Sequence, residues 1–184
     1  MYTLLPKDKR EELEKRIEGF FEENSIKLVE NIDISKVCNQ LGIQVLSLKL
    51  SSKLSKELDG IILVTPEEKR IGVNSEVNPR DARFIIAHEL SHYITQKDQL
   101  EYAFKDRLYH GDKKDPLEDE MDYMAAAILV PKNKFELYLK SLGIGDFHSV
   151  DEVKSNIHPV IIGLLAEKFN VRDDLIYRRI VEVS

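Results

Sequence analysis

The chain has 184 residues, of which 42% are hydrophobic and 33% charged, a composition that suits one compact domain with a substantial core. Its formal net charge of −6, with acids and bases interspersed, argues against a general nucleic-acid-binding surface. Because Cys38 is the single cysteine and no apolar run approaches the ~20 residues that cross a bilayer, we expect a cytoplasmic protein without disulfides or membrane segments.

The first predicted element is a helix over residues 7–24. Its sequence is highly charged, and its apolar residues recur at helical spacing. These residues are Leu13, Ile17, Phe20 and Phe21. The apolar face is interpreted as a packed face of the domain, with a dimer or partner surface as the alternative.

A short helix over 34–41, ended by Gly42, and a strand over 43–48 are predicted next. Two apolar runs, 60–65 and 70–74, flank a turn that contains Pro66, which predicts a β-hairpin. The hairpin directly precedes the segment that carries the chemistry described below. Two interpretations stay open: a plain structural hairpin, or a strand edge to which an extended peptide adds through main-chain hydrogen bonds.

A helix is predicted to begin after Asn78, which is a suitable N-cap residue, with Pro79 at the first helical position. This helix contains the run His88-Glu89-Leu90-Ser91-His92, the HExxH pattern. Residues four apart project from nearly the same helix face, so the two imidazoles can share one metal ion. With a third protein ligand, a zinc site of this type keeps one position for water, and Glu89 is placed to accept that water's proton. The pattern predicts a metallopeptidase.

The third ligand is sought in a second helix, predicted from its cap at Asp115 to about Val130. Among the acids of its first two turns, Glu120 shares a face with Leu117, Met121, Met124 and Ile128. A carboxylate carried into an apolar interface is costly unless a cation meets it, so Glu120 is the predicted third ligand. The helix phase therefore predicts a zinc centre of His88, His92 and Glu120.

Each of these residues also has an ordinary structural explanation. His88 and His92 could be partly buried histidines of an amphipathic helix, Glu89 a solvated side chain, and Glu120 an acid that favours the helix dipole. The combination of the residues in one motif, with capped helices on both segments, favours the metal centre.

Residues 97–114 connect the two helices and are rich in charges and aromatic hydroxyls. Hydrolysis through a tetrahedral intermediate requires a donor for the oxyanion besides the metal. The candidates are Tyr93, Tyr102, Tyr109 and His110. We favour Tyr109 and His110, which lie beside Gly111, with solvated loop residues as the alternative.

Helices are predicted near 132–142, 159–169 and 173–183, and residues 163–180 resemble a helix-turn-helix in their apolar spacing. The second helix of this pair opens with Asp173 and Asp174, which would point acids at phosphates. This disfavours direct DNA binding. A helical pair that packs on the core or helps seat a protein substrate is expected instead.

Residues 83–93 and 118–131 resemble the ImmA/IrrE family of zinc-dependent regulatory peptidases over about residues 30–140. Carried over by position, the resemblance implies His88, His92 and Glu120 as zinc ligands and Glu89 as the catalytic glutamate. Two departures fall near these positions: Ser91 stands where glycine is usual, and Asp122 where asparagine is usual. A third is Gln96, where a further histidine is often seen.

The resemblance implies an α+β fold: a mainly helical, minimal zincin-like domain with a small antiparallel sheet and C-terminal helices. The expected organisation is an N-terminal helix over 1–30, a metallopeptidase core over 31–142 and a C-terminal helical subdomain over 143–184. The implied activity is cleavage of a helix-turn-helix repressor of the XRE type or of an antitoxin, which relieves repression after stress in bacteria, phages or mobile elements. The alternative is a metal-binding regulator that sequesters its partner without cutting it.

Overall fold

The computed structural model describes residues 4–50, 59–96, 102–106 and 116–184, the stretch 102–106 as backbone. Over these ranges it has eight helices and four strands. The helices are α1 (Lys7–Glu23), α2 (Ile34–Gln40), α3 (Pro79–Gln96), α4 (Pro116–Leu129), α5 (Lys132–Ser141), α6 (Val150–Asn156), α7 (Pro159–Phe169) and α8 (Asp173–Val183). The strands are β1 (Gln44–Leu48), β2 (Gly60–Val64), β3 (Lys69–Asn74) and β4 (Tyr102–Asp106). The predicted α+β class is confirmed.

The four strands form one sheet in the order β1-β3-β2-β4. Strands β2 and β3 form the predicted antiparallel hairpin, and its turn is closed by the backbone N–H of Thr65, which donates to the Glu68 carbonyl at 2.8 Å. Strand β1 runs parallel to β3. The sheet is therefore mixed, whereas the sequence predicts an antiparallel sheet. Strand β4 pairs antiparallel with β2, which places both hairpin strands inside the described sheet.

The helix that carries the HExxH run begins as its sequence predicts. The Asn78 carboxamide oxygen accepts hydrogen bonds from the backbone N–H groups of Arg80 and Asp81, both at 3.0 Å. These bonds satisfy two of the donors that the first turn of a helix leaves without partners. The same type of cap, from the Asp33 carboxylate to the Lys36 N–H at 3.0 Å, begins α2.

One part of the core lies between α1, α3, α4 and the sheet. The predicted apolar face of α1 is fully packed, since Leu13, Ile17 and Phe21 are buried against the domain, and α1 contacts both α3 and α4. This confirms the packed-face interpretation of α1. Helices α3 and α4 pack directly on each other, helped by the small buried residues Ala125, Ala126 and Ala127.

The two helices with helix-turn-helix spacing, α7 and α8, pack against each other. Helix α8 turns most of its length into the core, where Leu175, Ile176 and Ile180 are buried. Helix α8 also contacts α4 and α6, so this helical pair packs on the rest of the domain. The cluster of buried residues runs from Leu13 to Val181, and the boundaries at residues 30 and 142 stay predictions. Within the described ranges, no helix combines the length and apolar character that crossing a bilayer requires.

Candidate metal centre

The HExxH residues are buried on α3. His88 is 2% exposed, and Glu89 and His92 are each 0% exposed. The two imidazole rings lie one turn apart with their centroids 5.1 Å from each other. Burying three such polar side chains is costly unless they are satisfied by partners or coordinate a metal ion. The burial of these three side chains therefore indicates that polar partners or a metal ion bind them.

A carboxylate from α4 meets both imidazoles. The Glu118 Oε2 atom lies 3.0 Å from His88 Nε2 and 3.6 Å from His92 Nε2. Ligand atoms of His88, His92 and Glu118 all lie within 4.8 Å of one another. These three side chains are positioned to bind a metal ion.

The Glu118 carboxylate lies at a distance from the two rings that a small metal ion could bridge. With bonds of about 2.0 to 2.2 Å in tetrahedral geometry, two neighbouring zinc ligand atoms lie roughly 3.3 to 3.6 Å apart. The separation from the Glu118 oxygen to His92 is 3.6 Å, and the separation to His88 is 3.0 Å, a hydrogen-bond distance. Two imidazole nitrogens with one carboxylate oxygen are also a donor set typical of catalytic zinc sites. The residues present thus fit the metal that the motif predicts.

A second carboxylate of α4, that of Asp122, contacts the other ring nitrogen of His88. The Asp122 Oδ1 atom lies 3.0 Å from His88 Nδ1, on the opposite side of the ring from Nε2. Metal-binding histidines usually donate their other ring N–H to a carboxylate in this way, which fixes the tautomer and leaves Nε2 for the metal. Asp122, where the family usually has asparagine, therefore supplies a carboxylate acceptor.

The surroundings of Glu118 keep it ionised. Burial raises the pKa of its carboxyl group, but hydrogen bonds with His88 and His92, and the charges of these rings in their protonated form, outweigh burial and lower the pKa to about 2. An ionised carboxylate is the form that binds metal.

The structure does not bring Glu120 to the imidazoles, and this corrects the predicted ligand set. The Glu120 Oε1 atom lies 3.3 Å from Lys9 Nζ on α1, and the Glu120 side chain is 23% exposed. The prediction took the apolar face of α4 as the face toward α3. Beyond its first turns α4 is buried on all sides, so apolar residues do not single out the α3 side. A better signal was the four-residue spacing of Glu118 and Asp122, which matches that of His88 and His92.

Glu89 lies against the sheet. A Cβ atom built on Gly60, the first residue of β2, would come within 2.6 Å of Glu89 Oε1 and 2.4 Å of Ile85 Cγ2. A larger residue at this position would require the Glu89 carboxylate and the Ile85 side chain to shift. Strand β2 thus packs directly against the predicted proton acceptor.

The predicted oxyanion donors have different placements. The hydroxyl of Tyr93 accepts a hydrogen bond from Lys69 Nζ at 2.7 Å, and its ring packs edge-on to Phe20 of α1. Tyr102 lies in β4. Tyr109 and His110 lie outside the described residues, so both stay predictions. Ser91 donates to the Ala87 carbonyl at 2.8 Å, which satisfies the hydroxyl within its own helix.

The fold and the site define a candidate metal centre of the HExxH type, and residues 38–180 match the model of the IrrE N-terminal-like domain, a peptidase family. The match covers most of the chain, and the chain belongs to this family. No curated protein matches the chain.

A solved structure of a Mycobacterium tuberculosis transcriptional regulator has a similar fold, with a TM-score of 0.52 and 18% sequence identity. The similarity covers 94% of this chain and 51% of the regulator, so the chain spans about half of the regulator's length. At this identity the similarity concerns the fold alone.

Proposed function

We propose that the chain is a zinc-dependent endopeptidase that cleaves a partner regulatory protein, either an XRE-type helix-turn-helix repressor or an antitoxin, and so relieves repression. The observation that supports this most directly is the convergence of His88, His92 and Glu118 beside a buried Glu89. Membership of a peptidase family agrees with it. Repression control is supported by the resemblance and by the regulator that shares the fold.

The proposed roles follow from the chemistry of each side chain. His88, His92 and Glu118 would hold Zn²⁺, which supplies Lewis-acid activation of water and of the scissile carbonyl. Glu89 accepts a proton as the water oxygen bonds to the carbonyl carbon, and it returns that proton to the amine nitrogen as the C–N bond breaks. Asp122 keeps His88 in the tautomer that presents Nε2. Tyr109 and His110 remain the proposed oxyanion donors.

Strand β4 is the proposed binding edge for an extended substrate. The hairpin strands themselves are flanked by β1 and β4 in the described sheet, so neither has a free edge there. Strand β4 pairs with β2 on one side, as in the register Ile62 with Phe104, and is the outer strand of the described sheet on the other. Backbone pairing with such an edge binds peptide without demanding a sequence.

We place this activity in the cytoplasm. The free thiol of Cys38 is buried in the core, and burial raises its pKa to about 12. A protein without disulfides whose partner is an intracellular repressor fits a reducing compartment.

Co-expression with the candidate repressor tests the proposal. Wild type, Glu89→Gln and His88→Ala are compared by mass spectrometry of the partner and by zinc content of the purified chain. Glu89→Gln should retain zinc but leave the partner intact, because it lacks only the proton acceptor. His88→Ala should lose both zinc and cleavage.

Two outcomes would overturn the proposal. Cleavage by Glu89→Gln at the wild-type rate would exclude the proton-transfer role. Capture of intact partner by wild type and Glu89→Gln alike would instead establish the alternative, a metal-binding regulator that sequesters its partner.

A further inference from the structure

The carboxylate of Asp122 contacts two different elements with its two oxygens. Its Oδ1 lies 3.0 Å from His88 Nδ1 on α3, and its Oδ2 lies 3.7 Å from Arg178 Nη1 on α8. The predicted metal centre is thus connected through one side chain to the last helix of the chain. Nothing in the HExxH motif or in the α4 segment requires this connection.

Arg178 is itself held in place. Its Nε donates to Glu182 Oε1 at 2.6 Å, four residues further along α8. The Glu182 side chain is fully buried and also lies 3.4 Å from Arg179. Arg178 is 14% exposed, whereas Asp122 is 39% exposed. A largely buried cation with a fixed guanidinium therefore faces the more exposed carboxylate that also contacts His88.

We propose that Arg178 is a positioning residue of the metal centre: it holds the Asp122 carboxylate rotated so that Oδ1 accepts the His88 Nδ1–H. This inference rests on the proposed function, because it assumes that His88 binds zinc. It makes α8, in the predicted C-terminal subdomain, a component that sets the metal affinity of the core. Residues that support metal-binding histidines in this way change metal affinity by about 10- to 100-fold when removed.

Arginine suits this position for a geometric reason. Its planar fork offers Nε to Glu182 and Nη1 to Asp122 at the same time, whereas lysine has a single nitrogen on a flexible stem. A cavity of about 140 Å³ lies beside the pair and is lined in part by Phe84, Asp122 and Arg178. Truncation of Arg178 would enlarge this cavity, which leaves room for a small cation to replace the guanidinium.

The test measures the zinc dissociation constant of the purified full chain by competition with a fluorescent chelator. Arg178→Ala should weaken zinc binding about 10- to 100-fold, as should Asp122→Ala, which removes the acceptor for His88. If Arg178 acts through Asp122, the double variant should bind zinc no more weakly than Asp122→Ala alone. Added guanidinium ion at millimolar concentration should partly restore zinc binding to Arg178→Ala but not to Asp122→Ala.

Arg172→Ala is the matched control. Arg172 lines the same cavity, but its ion pairs join Asp81 at 3.1 Å and Asp174 at 2.9 Å. Its removal should change zinc affinity less than about threefold, because neither of these partners touches a histidine of the metal centre.

Circular dichroism and urea unfolding show whether each variant folds, and Arg178→Lys replaces Arg178→Ala if the latter does not. The lysine variant should then bind zinc more weakly than wild type. Combined with Asp122→Ala, it should bind zinc as tightly as the single Asp122→Ala variant does.

The proposal is overturned if a folded Arg178 variant binds zinc as tightly as wild type, or if its effect and that of Asp122→Ala simply add. The failure of the proposed function looks different. In that case the wild-type chain binds no zinc, or it binds zinc and cleaves nothing, whatever residue stands at position 178.

Discussion

Helix α4 presents carboxylates to two neighbours, and the two interfaces treat them differently. Toward α3, Glu118 and Asp122 meet the nearly fully buried rings of His88 and His92. Toward α1, Glu120 meets Lys9, and both side chains stay partly exposed. Glu118, a candidate metal ligand, and Glu120, a member of an ordinary ion pair, are therefore only two positions apart on the same helix.

The difference shows which property distinguishes a candidate metal-binding carboxylate from an ordinary one. An ion pair near the surface contributes little free energy, because water solvates both partners in its absence. Imidazoles buried against a carboxylate are a costly arrangement that a metal ion would offset. The burial of the partner, and not the acidity of the helix, distinguishes the α3 interface from the α1 interface.

The sharpest test makes one substitution at both interfaces. Glu118→Gln should weaken zinc binding by more than about 100-fold, since it removes a direct ligand and not merely a supporting residue. Glu120→Gln should leave zinc binding unchanged within about twofold. Chelator competition on both purified variants measures the contrast. The reverse ranking would restore Glu120 as the ligand and refute the geometry of the α3 interface.

The α1 interface also contains a buried charge, which should matter for stability and not for metal. Glu14 Oε1 accepts from Arg179 Nη2 at 2.5 Å and from the Tyr123 hydroxyl at 2.9 Å. Glu14→Ala should lower the free energy of unfolding by about 3 to 5 kcal/mol, because Arg179 is fully buried and loses a partner. Urea unfolding in the presence of a chelator measures this.

Glu12→Ala is the control for Glu14→Ala, since Glu12 is 51% exposed on the same helix. It should change stability by less than about 0.5 kcal/mol. Equal effects at the two positions would mean that the Arg179 network contributes nothing beyond a surface pair.

Gly60→Ala tests the space around Glu89. The new methyl group would meet Ile85 and the Glu89 carboxylate, so overpacking should cost about 1 to 3 kcal/mol of stability. Displacement of Glu89 should reduce peptide cleavage while zinc affinity stays within a few-fold of wild type. Assays of peptide cleavage and of zinc affinity on the same purified variant show whether cleavage falls while zinc binding is kept. Unchanged cleavage would show that Glu89 can move without loss.

The smallest effect is expected at Lys9. Lys9→Met removes the partner of Glu120 and should change the free energy of unfolding by no more than about 1 kcal/mol. Zinc affinity should not change. A loss of zinc on this substitution would show that the α1 interface supports the metal centre, which contradicts the distinction between the two interfaces.

The sequence determined the local features of this protein. Side-chain spacing predicted the apolar face of α1, Asn78 capped the metal helix as expected, and Pro66 marked the turn between β2 and β3. His88, Glu89 and His92 were found from spacing alone. All of these depend on residues within a few positions of one another, where helix periodicity and turn chemistry act directly.

The tertiary structure decided everything that depends on which face meets which neighbour. Because α4 is buried on nearly all sides beyond its first turns, its apolar periodicity does not tell the α3 side from the α1 side, and for this reason it favours Glu120 over Glu118. The parallel pairing of β1 with β3 and the contact between Arg178 and Asp122 likewise join segments that are distant in the sequence. Such contacts follow from how elements pack in three dimensions, and no local pattern of residue types encodes them.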